Sequence, residues 1–170
     1  LVNFSKLASL KLSGDSLSVP PAENEMDTRK QVAEYQDKIR IFMALRDGNT
    51  DLINDYKDST SIDLSGCKSL KNVDGLSNLT NLTNLDLNWC ESLQNVDGLA
   101  NCRKLTSIDL DYCRSLKNVN GLANLINLTN LYLDDCRNVS PKPITDKMFN
   151  REEVSTYQDQ IKKAMKWRGF

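Results

Sequence analysis

The chain contains no histidine. That absence removes Ser-His-Asp and Cys-His catalysis, together with the common zinc sites that mix cysteine and histidine. The five cysteines are an odd number and no CxxC pair occurs, so neither a zinc-knuckle nor a thioredoxin-like spacing is present. No apolar run approaches the roughly 20 residues of a membrane span, and no signal-peptide pattern is visible, so membrane insertion is not expected. A net charge of −1 leaves no global basic field to attract nucleic acid. What is present suits one folded domain: 39% hydrophobic and 26% charged residues over 170 positions can build a core of their own. The first residue, Leu1, falls inside a patterned segment, which reads as a fragment of a longer protein.

The pattern is a repeat. Cys67, Cys90, Cys113 and Cys136 recur every 23 residues, and their surroundings keep the same step. Ile62, Leu85, Ile108 and Leu131 make one column, and Leu64, Leu87, Leu110 and Leu133 the next. After each cysteine come Leu70, Leu93, Leu116 and Val139, then Val73, Val96 and Val119, then Gly75, Gly98 and Gly121, each glycine followed by leucine. The unit is LxxLxLxxCxSLxNVxGLxNLxN, without insertions. A fixed period of this size signals stacked supersecondary units, none of which can bury its apolar face alone. The segment LxxLxL alternates as a short half-buried strand does, and stacking places such strands side by side about 4.8 Å apart in a parallel sheet. The glycine is expected to permit a tight reversal that a β-carbon would obstruct. The GLxNL segment then returns as a short 3₁₀ turn with its leucines inward.

On these residues, positions 59–139 resemble leucine-rich repeats, whose signature LxxLxLxx(N/C)xL is met almost column for column. The stretch GLANLINLTNLYL is similar to the bacterial internalin-type subclass. CxSL is closer to the cysteine-containing subclass, with one extra residue before the leucine. The resemblance implies an α/β solenoid: a right-handed superhelix with a parallel sheet of about five strands on its concave face, and helical insertions or caps. In that family the asparagine or cysteine column points inward at the strand-to-turn corner, meeting the backbone of the neighbouring unit. Cys102 replaces a leucine of the column holding Leu79 and Leu125, so it too reads as a small core residue. Buried apolar thiols are inert, so no redox or metal role is expected of them.

The flanks carry a longer repeat. Leu7, Leu10 and Leu12, with Asp15 in the cysteine column, form one more unit. With an offset of 122, Met26, Arg29 and Val32 match Met148, Arg151 and Val154, and Tyr35-Gln36-Asp37 matches Tyr157-Gln158-Asp159. Ile39, Met43 and Arg46 match Ile161, Met165 and Arg168 in the same register, which implies internal duplication. The matched segments are amphipathic helices by the spacing of Val32, Tyr35, Ile39, Phe42 and Met43 and of Val154, Tyr157, Ile161, Ala164 and Met165. Asp27 or Thr28 is the expected N-cap and Asp47-Gly48 the stop, with a second short helix over residues 50–56. The expected organisation is a partial repeat at 1–19, a helical insertion or N-terminal cap at 20–58, repeats of 23-residue period at 59–140, and a second insertion or C-terminal cap at 141–170 that is homologous to 24–46.

The outward residues of the strands are the candidate binding site. Between the strand leucines lie Lys11, Asp63, Asp86, Asp109 and Tyr132; two further on lie Ser13, Ser65, Asn88, Asp111 and Asp134; next come Gly14, Gly66, Trp89, Tyr112 and Asp135. Asp63, Asp86, Asn88, Trp89, Asp109, Asp111, Tyr112, Tyr132 and Asp134 therefore make an acidic strip bordered by aromatics, as expected for binding a basic peptide or protein surface. A spacer segment without a dedicated ligand, and carbohydrate recognition by Trp89 and Tyr112, are the competing readings. Calcium would need a compact DxDxDG loop, and glycoside hydrolysis a cleft with two unlike carboxyls; a ladder of equivalent aspartates offers neither, so no metal, cofactor or enzyme activity is expected. Unpaired cysteines favour a reducing cytoplasm, while the internalin resemblance equally accommodates an exported or cell-surface protein. Localisation and oligomeric state stay open.

Overall fold

The structure is a computed structural model that describes residues 29–169. The repeat at Leu7 to Leu12 with Asp15, the outward positions Lys11, Ser13 and Gly14, and the caps Asp27 and Thr28 lie outside the described residues. Helix α1 (Arg29–Asp47) is followed by the short α2 (Thr50–Asn54). Four three-residue strands follow, β1 (Ser61–Asp63), β2 (Asn84–Asp86), β3 (Ser107–Asp109) and β4 (Asn130–Tyr132), then β5 (Lys147–Met148) and α3 (Arg151–Trp167). The class is α/β, built on one five-stranded, mostly parallel sheet in the order β1-β2-β3-β4-β5. No helix among the described residues is long and apolar enough to cross a membrane.

The register follows from burial. Ile62, Leu85, Ile108 and Leu131 pair in a row, so every inward residue meets its counterpart 23 positions away. A slip of one residue would turn that whole row to water, and the leucines therefore fix the pairing. The fifth strand departs from expectation: β5 is antiparallel to β4, with Leu131 opposite Met148 and Tyr132 opposite Lys147. It comes from the segment expected to be purely helical.

Between strands the chain makes 3₁₀ turns at Asp74–Asn78, Asp97–Leu99 and Asn120–Leu122. Leu76, Leu79, Leu99, Leu122 and Leu125 point inward from them, as the GLxNL spacing predicts. The asparagine before each turn accepts from the backbone two residues on: Asn72 from Asp74 N, Asn95 from Asp97 N and Asn118 from Asn120 N, at 2.9–3.2 Å. The reason for glycine differs from the expected one. Gly98 and Gly121 do not hold the reversal by a positive φ. A β-carbon on Gly98 would sit 2.2 Å from Val73 O, and one on Gly121 2.0 Å from Val96 O, so the stacked turns approach too closely for a side chain.

All five cysteines are buried and unpaired. The Cys90, Cys113 and Cys136 thiols donate to the carbonyls of Leu64, Leu87 and Leu110 at 3.0–3.2 Å, and Cys102 donates to Leu76 O at 3.4 Å. A small weak donor is what that corner needs: it packs as an apolar residue and satisfies a carbonyl of the neighbouring unit. Burial pushes the thiols of Cys67 and Cys136 up to about 12 and that of Cys102 to about 11.

Helices cover both ends of this core. At one end Ile41, Phe42 and Ala44 of α1 and Ile53 of α2 are buried with it. At the other, Val154, Tyr157 and Ile161 of α3 are buried, and so is Gln158, whose Nε2 donates to Leu122 O (2.7 Å) and Leu125 O (3.0 Å). Arg151 Nη1 donates to Gln158 Oε1 at 2.8 Å and to Leu128 O at 3.1 Å. The carbonyls of Leu122, Leu125 and Leu128 are thus bonded by side chains of the helix. Asn150 caps α3 by accepting from Glu153 N, and Glu153 accepts in return from Phe149 N. Gly48 (φ 67°) stops α1 in the left-handed conformation, as the Asp47-Gly48 stop predicts.

Candidate functional site

Asp63, Asp86 and Asp109 lie directly opposite one another across β1, β2 and β3, with Tyr132 next in the row. Each aspartate turns one oxygen onto its own chain: Asp63 accepts from Ser65 N (2.7 Å), Asp86 from Asn88 N (2.9 Å) and Asp109 from Asp111 N (2.9 Å). These bonds tie each carboxylate to the backbone two residues further on.

The two ends of the acidic strip are neutralised from within the chain. Lys38 of α1 donates to Asp63 at 3.1 Å and to Ser65 Oγ at 2.9 Å. Lys147 of β5 lies 3.6 Å from Asp111 and 3.7 Å from Asp134. Asp111 is only 7% exposed and also accepts from Asp134 N at 2.6 Å, so it is engaged inside the fold more than it is offered to a partner. Between these ends, Asp86 and Asp109 have no lysine or arginine of the described residues within ion-pair distance. Their carboxyls sit above the usual range, although Lys38 pulls Asp86 down and Lys147 pulls Asp109 down from beyond ion-pair distance. Burial is the main cause for both, with Asp63 and Asp111 adding to it at Asp86, and Asp111 and Asp86 adding to it at Asp109. At Asp63 burial pushes the same way, but the bonds from Ser65 and Lys38 outweigh it and hold that carboxyl below the usual range.

Beside the two central aspartates, the rings of Trp89 and Tyr112 stack with centroids 4.2 Å apart and planes 7° apart. Trp89 remains 39% exposed. The column Gly66, Trp89, Tyr112, Asp135 has φ of 70°, 61°, 61° and 55°, left-handed throughout. A side chain there costs about 1–2 kcal/mol per residue, which Gly66 avoids and the aromatics do not. Stacking returns about 0.5–1.5 kcal/mol. The Arg114 guanidinium lies 5.4 Å from the Trp89 ring centre and donates to Asp135 at 2.9 Å, and Arg137 also binds Asp135. Tyr132 makes an edge contact with Phe149 at 5.6 Å and is half-buried beside β5.

The structure thus brings Asp86, Asp109, Trp89 and Tyr112 together at the centre of the strip, with Asn88 half-buried between them. Asp63, Asp111, Asp134 and Tyr132 are occupied by neighbours of their own chain. Lys38 and Lys147 are the residues that sequence reasoning missed. Lys38 was findable, because helical spacing puts it on the face that carries Phe42; Lys147 was not, because β5 lies outside the 23-residue register. Among the described residues, no group of three or more acidic or cysteine side chains is arranged to hold a metal ion. A cavity of about 380 Å³ opens between β5 and α3, lined by Ile144, Met148, Tyr157, Glu152 and Glu153 among others, and none of the strip residues lines it. No known family model matches the chain, and no curated protein is significantly similar to it.

Proposed function

We propose that the chain is a segment of a leucine-rich-repeat solenoid and a non-enzymatic binding module whose strand face takes a basic peptide or protein surface. The solenoid reading is supported by the parallel pairing at a constant 23-residue step and by the close stacking of successive 3₁₀ turns. The binding reading is carried by one observation: Asp86 and Asp109 lie side by side without a cation, next to a half-exposed stacked Trp89–Tyr112 pair. Within the same chain, Lys38 and Lys147 already supply amines to the flanking carboxylates. A lysine or arginine of a partner supplies to the central pair what these two residues supply at the ends. The rings add apolar contact area beside the carboxylates. Holding both aromatics in a costly backbone conformation is consistent with a surface kept for use.

The test is titration of Lys- and Arg-rich peptides against the chain, followed by Trp89 fluorescence and calorimetry. Asp86→Asn with Asp109→Asn, which keeps the oxygens that accept from Asn88 N and Asp111 N, should abolish capture without lowering thermal stability; unchanged capture sinks the proposal. Binding on a glycan array with no peptide or protein captured would point instead to carbohydrate recognition. Failure to bind either class would leave a spacer segment of a repeat array.

A further inference from the structure

The duplication of α1 in α3 puts a second charged surface on the molecule. With the offset of 122, Ile41, Ala44 and Leu45 of α1 correspond to Lys163, Lys166 and Trp167 of α3. In α1 these positions are apolar and covered: Ile41 is 3% and Ala44 2% exposed, and the Leu45 side chain reaches Gly75 of the first 3₁₀ turn. In α3 the same positions face water, and two of the three have become lysine. Lys163, Lys166 and Trp167 stand at i, i+3 and i+4, hence on one face, and Trp167 is 90% exposed. Lys162 and Arg168 lie beside them, Lys162 near its own Asp159 and Arg168 bonded to Ser140. A tip with two exposed amines around a bare indole is a binding patch in chemical terms, and its charge is opposite to that of the strip at Asp86 and Asp109.

We infer that the basic aromatic tip of α3 docks on the acidic aromatic strand face of a second copy of this chain. The inference rests on the strand face being a cation-binding surface, as proposed above, and names its occupant. Charge complementarity is the argument: the net charge of −1 is spatially divided, Asp86 and Asp109 having no ion-pair partner and, of the α3 lysines, Lys163 and Lys166 having none among the described residues, while Lys162 pairs with Asp159. The arrangement also has an internal precedent, since Lys38 of α1 reaches Asp63 and Ser65 from a helix in the same manner. Trp167 supplies the apolar contact beside Trp89 and Tyr112. The two patches differ, so the contact is head-to-tail and generates rings or open chains rather than a two-fold dimer. Two small patches imply weak, salt-sensitive association.

The experiment is sedimentation velocity of the full chain at low and high salt, up to about 1 mM, where weak association becomes populated. Concentration-dependent association that salt suppresses is expected. Lys163→Glu with Lys166→Glu should be monomeric alone, and so should Asp86→Lys with Asp109→Lys. Mixing these two variants should restore association, because each retains one intact half of the contact. Should the lysine substitutions on the strands prevent folding, judged by circular dichroism, Asp86→Asn with Asp109→Asn replaces them. A monomer at every concentration overturns the inference, as does association that neither variant weakens or that mixing does not restore. A wild-type chain that captures a lysine-rich peptide yet stays monomeric overturns only the second copy as occupant and leaves the strand-face reading standing.

Discussion

Trp89 and Tyr112 stack ring on ring at 4.2 Å while both hold a left-handed backbone with φ of 61°. The position therefore asks for glycine by its dihedral angle and carries an aromatic by its surroundings. The two requirements can be separated by substitution.

Trp89→Ala and Trp89→Gly both lose the stack, but only glycine is free of the β-carbon clash at positive φ. Trp89→Gly should therefore be more stable than Trp89→Ala by about 1 kcal/mol, the reverse of the usual order in regular structure. The same inversion is expected at Tyr112. Urea unfolding of the four variants decides it, and alanine equal to or better than glycine would show that the left-handed backbone carries no such cost at these positions.

The glycine columns make a second comparison within one molecule. A β-carbon on Gly98 or Gly121 meets the carbonyl of Val73 or Val96 at 2.2 Å or 2.0 Å, and neither backbone can move without disturbing the stacked turns. At Gly75 the nearest atom is the Cδ2 of Leu45 at 2.8 Å, the end of a side chain able to rotate. Gly98→Ala and Gly121→Ala should each cost at least about 1–3 kcal/mol, while Gly75→Ala should stay within about 1 kcal/mol. Thermal melts showing equal losses at all three sites would contradict the close-approach account.

These cases mark where the sequence was readable. Leu85, Ile108 and Leu131 announced their strand register because a period of 23 with inward leucines has one parallel solution that buries them all. Gly98 was correctly singled out but for a different reason, since its neighbour is close only after stacking and sequence separation hides the contact. Gly66 at the head of the Trp89 column was a readable sign of left-handed backbone, because glycine and the aromatics share one position of the unit. The acidic strip was visible as a row, but its subdivision was not. Which aspartates stay free depends on Lys38 and Lys147, delivered by a helix and an antiparallel strand that the repeat does not encode.

That subdivision gives the third prediction. The carboxyls of Asp86 and Asp109 lie above their ordinary values, so the fold prefers them protonated. A raised acid pKa means the native state binds more protons than the unfolded chain, and stability from these groups falls as pH rises through their folded pKa. Asp86→Asn with Asp109→Asn keeps the oxygens that accept from Asn88 N and Asp111 N while removing the charge. At pH 7 the double variant should be more stable than the parent by up to about 1 kcal/mol, the scale of like charges facing each other across strands. The advantage should shrink on acidification and vanish below about pH 4, where carboxyls are protonated even in the unfolded chain. Asp63→Asn should behave oppositely, since Ser65 and Lys38 hold that carboxyl below its usual range: a loss at neutral pH that disappears as pH falls. Melting curves against pH, measured alongside peptide titration, join stability to function. If the strip is a cation site, the Asn pair gains stability and loses peptide affinity together; a variant that gained stability and bound as before would separate the strain from the site.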